Sequence, residues 1–199
     1  MKIYGDVYSG NCYKIKLLCS LLSLDYEWIP IDILKGETRS ESFLELNPNG
    51  QIPVCISDSG EVLTESNAIL YFLAAASPFW PEDRLAQTRV LQWMFFEQYS
   101  HEPSIAVARF IKLYLGMPEN RQNEYESKLK SGYRALDLME KQLREQTYLV
   151  STQCSIADIA LYAYTHVAEE GGFSLGHYRA LQSWIARIQA LPGYCPIGA

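Results

Sequence analysis

The chain has 199 residues, 48% hydrophobic and 20% charged, which suits one or two globular domains with a buried core. A net charge of −6 argues against the concentrated basic surface that a nucleic acid or anionic membrane would need. The five cysteines, Cys12, Cys19, Cys55, Cys154 and Cys195, have neither disulfide-framework nor zinc spacing, so reduced thiols, a cytoplasmic location and no metal are expected.

Residues 2–8 read as a first strand, and Ser9-Gly10-Asn11 as a turn. Before them there is no apolar stretch of the kind a secretory signal carries, and no run approaches the roughly 20 residues of a membrane span. From Cys12 to Leu24, Ile15, Leu17, Leu18, Leu21, Leu22 and Leu24 recur at helical spacing. Tyr26 to Ile33 reads as a second strand by its aromatic and β-branched content, with Pro30 placing it at an edge. Lys35 to Ser42 reads as a polar loop, and Phe43–Leu46 as a helical turn stopped by Asn47-Pro48. A third strand is expected over Ile52–Ile56, then a hairpin turn at Asp58-Ser59-Gly60 and a fourth strand at Val62-Leu63. Helix follows from Glu65 to Ala76. The order implies a mixed four-stranded sheet, its first pair parallel and its hairpin antiparallel, in a domain of residues 1–76.

Two prolines in Ser77-Pro78-Phe79-Trp80-Pro81 break the pattern, so residues 77–83 read as a linker. Residues 84–199 then lack strand signals. Four helical stretches are expected there. Leu85–Leu115 should bend near Glu102-Pro103, and Glu119–Glu145 should bury Tyr125, Leu129, Tyr133, Leu136, Leu138, Met139 and Leu143. Ser155–Ala168 is apolar nearly all round and so central, and Tyr178–Leu191 closes the set.

Several local patterns bear on chemistry. Pro53 sits where a strand ladder needs a donor; a cis Ile52-Pro53 bond would turn the Ile52 backbone toward another extended peptide. At the next helix start, Ser66 suits a carboxylate and Glu65 an ammonium, so the pair could clamp an amino-acid head group. Thr64 as N-cap and Glu65 as a dipole partner is the plainer alternative. Ser9 could donate to a bound sulfur at the first helix N-terminus, or simply cap it. Lowering a thiol from about 8.5 by two units takes about 2.7 kcal/mol, within reach of one charge-assisted hydrogen bond plus a helix terminus. Cys12 reads either as a buried structural residue or as a thiol activated in the first helical turn. Because Ser9 replaces the first cysteine of a Cys-x-x-Cys pair, no disulfide can form there. Ser155-Ile156-Ala157-Asp158 reads as a capping box that serves folding. His101, His166 and His177 have no ligand spacing, and Trp93–Tyr99 reads as core or subunit contact before substrate wall.

Ser9 after the first strand, Asn47-Pro48-Asn49-Gly50-Gln51-Ile52-Pro53-Val54, Glu65-Ser66, the proline linker and Ser155-Ile156-Ala157-Asp158, taken in this order, resemble the cytosolic glutathione transferases over essentially the whole chain. The resemblance, closest to theta-like and bacterial beta-like members, implies an α/β thioredoxin-like N-terminal domain, an all-helical C-terminal domain and a homodimer. It implies glutathione as co-substrate, conjugated to a small electrophile as in detoxification. Ile52 and Pro53 would hold its cysteinyl backbone, Glu65 and Ser66 its γ-glutamyl end, with Thr38 and Gln51 in reach of its backbone or glycyl carboxylate. For the thiolate the resemblance ranks Ser9 first, aided by Asn11, then Cys12, then Tyr8. Tyr99 and Arg109 are candidates for the electrophile wall. Two alternatives stay open: a thiol transferase that uses Cys12, and a non-catalytic member that only binds.

Overall fold

The computed structural model describes all residues from Met1 to Ala199. The chain divides into two compact units, one of Met1–Ser77 together with Leu191–Ala199, the other of Pro78–Ala190. The last nine residues therefore belong with the sheet, not with the helices that precede them.

The first unit contains β1 (Lys2–Gly5), α1 (Gly10–Leu22), β2 (Glu27–Pro30), α2 (Glu41–Leu46), β3 (Val54–Ile56), β4 (Val62–Leu63) and α3 (Ser66–Leu73). The sheet order is β2-β1-β3-β4. β1 pairs parallel with β2 (Ile3 opposite Trp28) and antiparallel with β3 (Ile3 opposite Cys55), and β3 and β4 form the hairpin. β2 is an edge, where Pro30 costs no central ladder bond. Ile3, Leu17, Leu18, Val54, Ile69 and Leu70 are wholly buried and form the core around which α1 and α3 pack.

Several boundaries move from the sequence expectation for local reasons. β1 ends at Gly5 because Asp6 turns the chain, accepting from the Tyr8 amide with its side chain and from the Ser9 amide with its carbonyl. α1 starts at Gly10, with Ser9 as its cap. The polar loop holds a 3₁₀ turn, Glu37–Arg39, and α2 starts within it at Glu41, capped by Ser40. β3 begins only at Val54, so Ile52 and the cis Ile52-Pro53 bond lie outside the ladder. Glu65 is not helical: its φ of 65° is a left-handed value, and α3 begins after it.

The second unit contains α4 (Arg84–Phe96), α5 (Glu102–Arg109), α6 (Gln122–Glu145), α7 (Ile156–Thr165) and α8 (Arg179–Gln189). The expected break near Pro103 takes the form of a π-helical turn, Glu97–His101, in which the Glu102 amide reaches the Glu97 carbonyl. The ladder is widened immediately before a residue that has no amide proton to give. A second π turn, Phe110–Tyr114, follows α5. α6 buries Gly132, Ala135, Leu136, Met139 and Leu143, but Leu138 is 48% exposed, because it lies on the opposite face from Leu136. Every residue of α7 is buried, as its all-round apolarity requires. His101 binds Thr165 at 2.8 Å and His166 stacks on Tyr162, so both are used in packing. No helix is long and apolar enough to cross a membrane.

Candidate functional site

The turn between β1 and α1 has an exposed tyrosine, Tyr8, and a half-buried serine, Ser9. Ser9 has extended backbone angles, and its hydroxyl oxygen accepts from the Cys12 amide at 3.4 Å, long for a hydrogen bond. Its hydroxyl proton has the Cys12 thiol as its acceptor, a weak one. An oxygen that caps weakly and a proton offered only to a thiol make a donor that is lightly held.

Asn11, in the first turn of α1, accepts from the Ser66 hydroxyl at 3.3 Å. That bond ties the start of α1 to the start of α3, two helix N-termini with unpaired amides. Beneath it lies Lys14, wholly buried, whose ammonium donates to Ser66 Oγ at 3.2 Å and Asn67 Oδ1 at 3.4 Å. Ser66 is thus held by Lys14 on one side and Asn11 on the other. Glu65 is exposed, its carboxylate is unpaired, and its backbone occupies a region costly for a residue with a Cβ. The strained residue flanks the convergent polar groups of Lys14, Asn11 and Ser66.

The segment before β3 is preassembled by its own side chains. Asn47 donates from Nδ2 to the Gln51 carbonyl at 2.8 Å, and its Oδ1 accepts from the Asn49 amide at 3.1 Å. Gly50 has φ 62°, and a Cβ there would stand 2.9 Å from the Thr38 carbonyl and 2.5 Å from an Arg39 nitrogen. The Thr38 turn therefore packs directly on Gly50, next to exposed Gln51 and half-buried Ile52. Thr38 itself is buried.

Cys12 is wholly buried, and burial pushes its thiol up to about 12 against the lowering effect of the Ser9 hydrogen bond. The thiolate expected from its place at a helix N-terminus is opposed by desolvation, which wins here. In the second unit, Tyr99 is 89% exposed within the first π turn. Arg109 is only 4% exposed, its Nε binds Glu170 Oε2 at 2.6 Å, and its guanidinium lies over the Tyr114 ring. Its charge is spent inside the helical unit, not held open for a ligand.

Lys14 and Asn67 escaped the sequence reading. One signal was present: Lys14 lies one turn before Leu17 and Leu18, so it falls on the buried stripe of α1, where a lysine needs partners. The strain at Glu65 left no mark in residue type.

The family model for the glutathione S-transferase N-terminal domain matches residues 1–75, and that for the glutathione S-transferase C-terminal domain matches residues 98–192. The fold superposes on a glutathione S-transferase from Pseudomonas fluorescens Pf-5 at a TM-score of 0.98 and 59% identity, covering 100% of this chain and 98% of that one. A glutathione S-transferase from Xanthobacter autotrophicus Py2 gives 0.95 at 45% identity, covering 99% and 96%. Among sequence relatives, the disulfide-bond oxidoreductase YfcG of Escherichia coli K12 is 28% identical over 189 residues, covering 92% of this chain and 87% of its own. With both of its domains matched, the chain belongs to the glutathione S-transferase family.

Proposed function

We propose that the protein binds glutathione on the first unit and adds its thiolate to a small electrophile. The observation that carries this reading is the Ser9 hydroxyl, half-buried and only lightly held by the Cys12 amide and thiol, on the same turn whose Asn11 is joined to Ser66. In this reading the γ-glutamyl carboxylate binds the Ser66 amide and hydroxyl, and the γ-glutamyl ammonium binds Glu65. The Ile52 backbone pairs with the cysteinyl residue, beside Pro53. Thr38 and Gln51 flank the glycyl end. Ser9 donates to the sulfur, the thiol proton leaves to solvent, and the sulfur bonds to the electrophilic carbon as the bond to the leaving group breaks, a chloride ion departing with its electron pair in the case of an aryl chloride. Asn11 supports the turn. Tyr99 is the candidate for an electrophile wall, and Arg109, engaged with Glu170, drops out of that role. The exposed apolar side chains of Tyr71, Phe72 and Phe95 support a homodimer, and the protein works as a cytoplasmic detoxifying transferase.

Ser9→Ala should raise the apparent pKa of bound glutathione by about one to two units, the worth of one charge-assisted hydrogen bond. Conjugation of an aryl chloride near neutral pH should fall about tenfold to hundredfold by the same conversion. Thiolate absorbance against pH measures the first; an unshifted titration removes Ser9 from the chemistry. Absence of glutathione binding to the native protein in calorimetry removes the transferase reading altogether.

A second reading, glutathione-dependent thiol transfer, draws on the activity named for the E. coli relative. The burial of Cys12 speaks against a route through that thiol. Cys12→Ala should keep any disulfide reduction within about twofold of native. A glutathione adduct found on Cys12 by mass spectrometry would reverse that assignment.

A further inference from the structure

Beyond α8 the chain returns to the first unit, where residues 193–199 lie along α1. The Gly193 carbonyl accepts from Ser20 Oγ at 2.6 Å, in the last turns of α1. The Cys195 carbonyl accepts from the Tyr13 hydroxyl at 2.7 Å, and Cys195 Sγ is 3.9 Å from the Lys16 carbonyl. Lys16 Nζ in turn binds the Ala199 carbonyl oxygen. The Gly198 amide then donates to the Val7 carbonyl at 3.2 Å. As the segment advances from 193 to 198, its partners recede from 20 to 7, so it runs antiparallel to α1 and ends on the turn that carries Ser9.

Both glycines are required by this path. Gly193 has φ 83°, and a Cβ there would stand 2.8 Å from the Ser20 carbonyl oxygen. Gly198 also has φ 83°, and a Cβ there would stand 2.9 Å from Tyr8 Cε1. Neither the conformation nor the spacing accepts a side chain.

We propose that residues 193–199 are a positioning strap for the Ser9 turn. The inference rests on reading Ser9 as the group that holds the glutathione thiolate. Within the turn, Asp6 fixes the Tyr8 and Ser9 amides and the cap bond from Cys12 is long, while the Val7 carbonyl is held by Gly198. The Val7–Tyr8 peptide sets where Ser9 begins, so its clamp comes from a residue 191 positions later in sequence. No hydrogen bond joins the strap to Ile52 or Ser66, so it governs placement of the thiolate donor and leaves peptide binding alone.

The test compares the native chain with a form ending at Tyr194 and with Gly198→Ala, which keeps the question open to refutation if the shortened chain fails to fold. Amide hydrogen exchange at Val7–Ser9 should accelerate at least about tenfold, since the turn would open locally. The apparent pKa of bound glutathione should rise and turnover should fall about tenfold to hundredfold, the cost of about 1 Å of misplacement. Glutathione affinity should stay within about threefold, because a donor to the sulfur adds little to ground-state binding of the peptide backbone. Native exchange rates in both variants overturn the strap, whatever glutathione does. Faster exchange with an unshifted thiol pKa overturns its positioning role. If Ser9→Ala itself leaves that pKa unshifted, the Ser9 reading falls, and exchange alone still decides whether the strap clamps the turn.

Discussion

Two of the serines that begin helices in this chain, Ser9 and Ser155, are put to different uses. Ser155 is buried at the start of α7, where its hydroxyl donates to Asp158 Oδ2 at 3.0 Å and its amide donates to the same oxygen at 2.9 Å. Ser9 is half-buried at the start of α1, where its oxygen accepts one long bond and its proton faces only the Cys12 thiol. The difference lies three residues on. The third helical residue is Asp158 in one case and Cys12 in the other. An acid at that place completes a reciprocal box and consumes the serine. A buried thiol accepts far more weakly than a carboxylate, so the Ser9 amide turns back to the Asp6 carbonyl at 3.1 Å and the hydroxyl is held only lightly. A helix cap becomes a candidate catalytic donor when its reciprocal partner is missing.

The largest effect expected from this contrast is on stability, at Asp158. Its Oδ1 also accepts from the Leu149 amide and from Trp184 Nε1, both at 2.9 Å. Four donors converge on one wholly buried carboxylate. Burial raises its pKa and the four hydrogen bonds work against that rise. Asp158→Ala strands those donors, at about 1–3 kcal/mol for each one left unsatisfied. A loss of about 4 kcal/mol or more in urea unfolding is expected, with glutathione affinity of the folded fraction unchanged. A stable Asp158→Ala protein with altered glutathione affinity would break the division between a folding cap and a chemical one.

Much of this was legible in residue type. The mixed four-stranded sheet with its parallel first pair and antiparallel hairpin, the edge strand at Pro30, the central α7 and its capping box follow from hydrophobic period and a few special residues. The glutathione-site candidates Glu65 and Ser66 stand out as an acid beside a hydroxyl at a helix start. Side-chain commitment was not legible. Arg109 looks like an open cation until Glu170, distant in sequence, accepts from it. Cys12 looks activated until the packing around it is known, because a helix terminus is local whereas desolvation is a property of the whole core. The strap is invisible for the same reason: its register against α1 depends on contacts about 180 residues apart in sequence, and Gly193 and Gly198 alone read as ordinary turn residues.

Cys12 offers the next largest test, through pH. Its folded thiol stands at about 12 against an ordinary value of 9.0, with burial the leading cause. The folded chain keeps a proton that the unfolded chain loses. The contribution is fully present below pH 9 and is lost as pH rises toward 12. At pH 10 one such thiol lowers the unfolding free energy by about 1.4 kcal/mol. Urea unfolding at pH 7.5 and pH 10 should therefore show a steeper loss for the native protein than for Cys12→Ala, by about 1 kcal/mol. Parallel losses in the two proteins would mean that Cys12 ionises as freely when folded as when unfolded, and would return it to the list of possible nucleophiles.

The smallest expected effect is the stability change of Ser9→Ala, and it bears most directly on the contrast between the two serines. An N-cap serine typically contributes about 0.5–2 kcal/mol. A single cap bond of 3.4 Å should lie at the bottom of that range, about 0.5 kcal/mol or less. The same substitution at Ser155 removes a hydroxyl buried against a carboxylate and should cost about 1–2 kcal/mol. Ser9→Ala should thus unfold almost as the native protein does while its bound glutathione loses acidity. The reverse outcome, a loss of more than about 1 kcal/mol with an unchanged thiol titration, would make Ser9 a cap of the same kind as Ser155. The thiolate would then need another donor, and Tyr8, exposed on the same turn, is the side chain placed to be tried first.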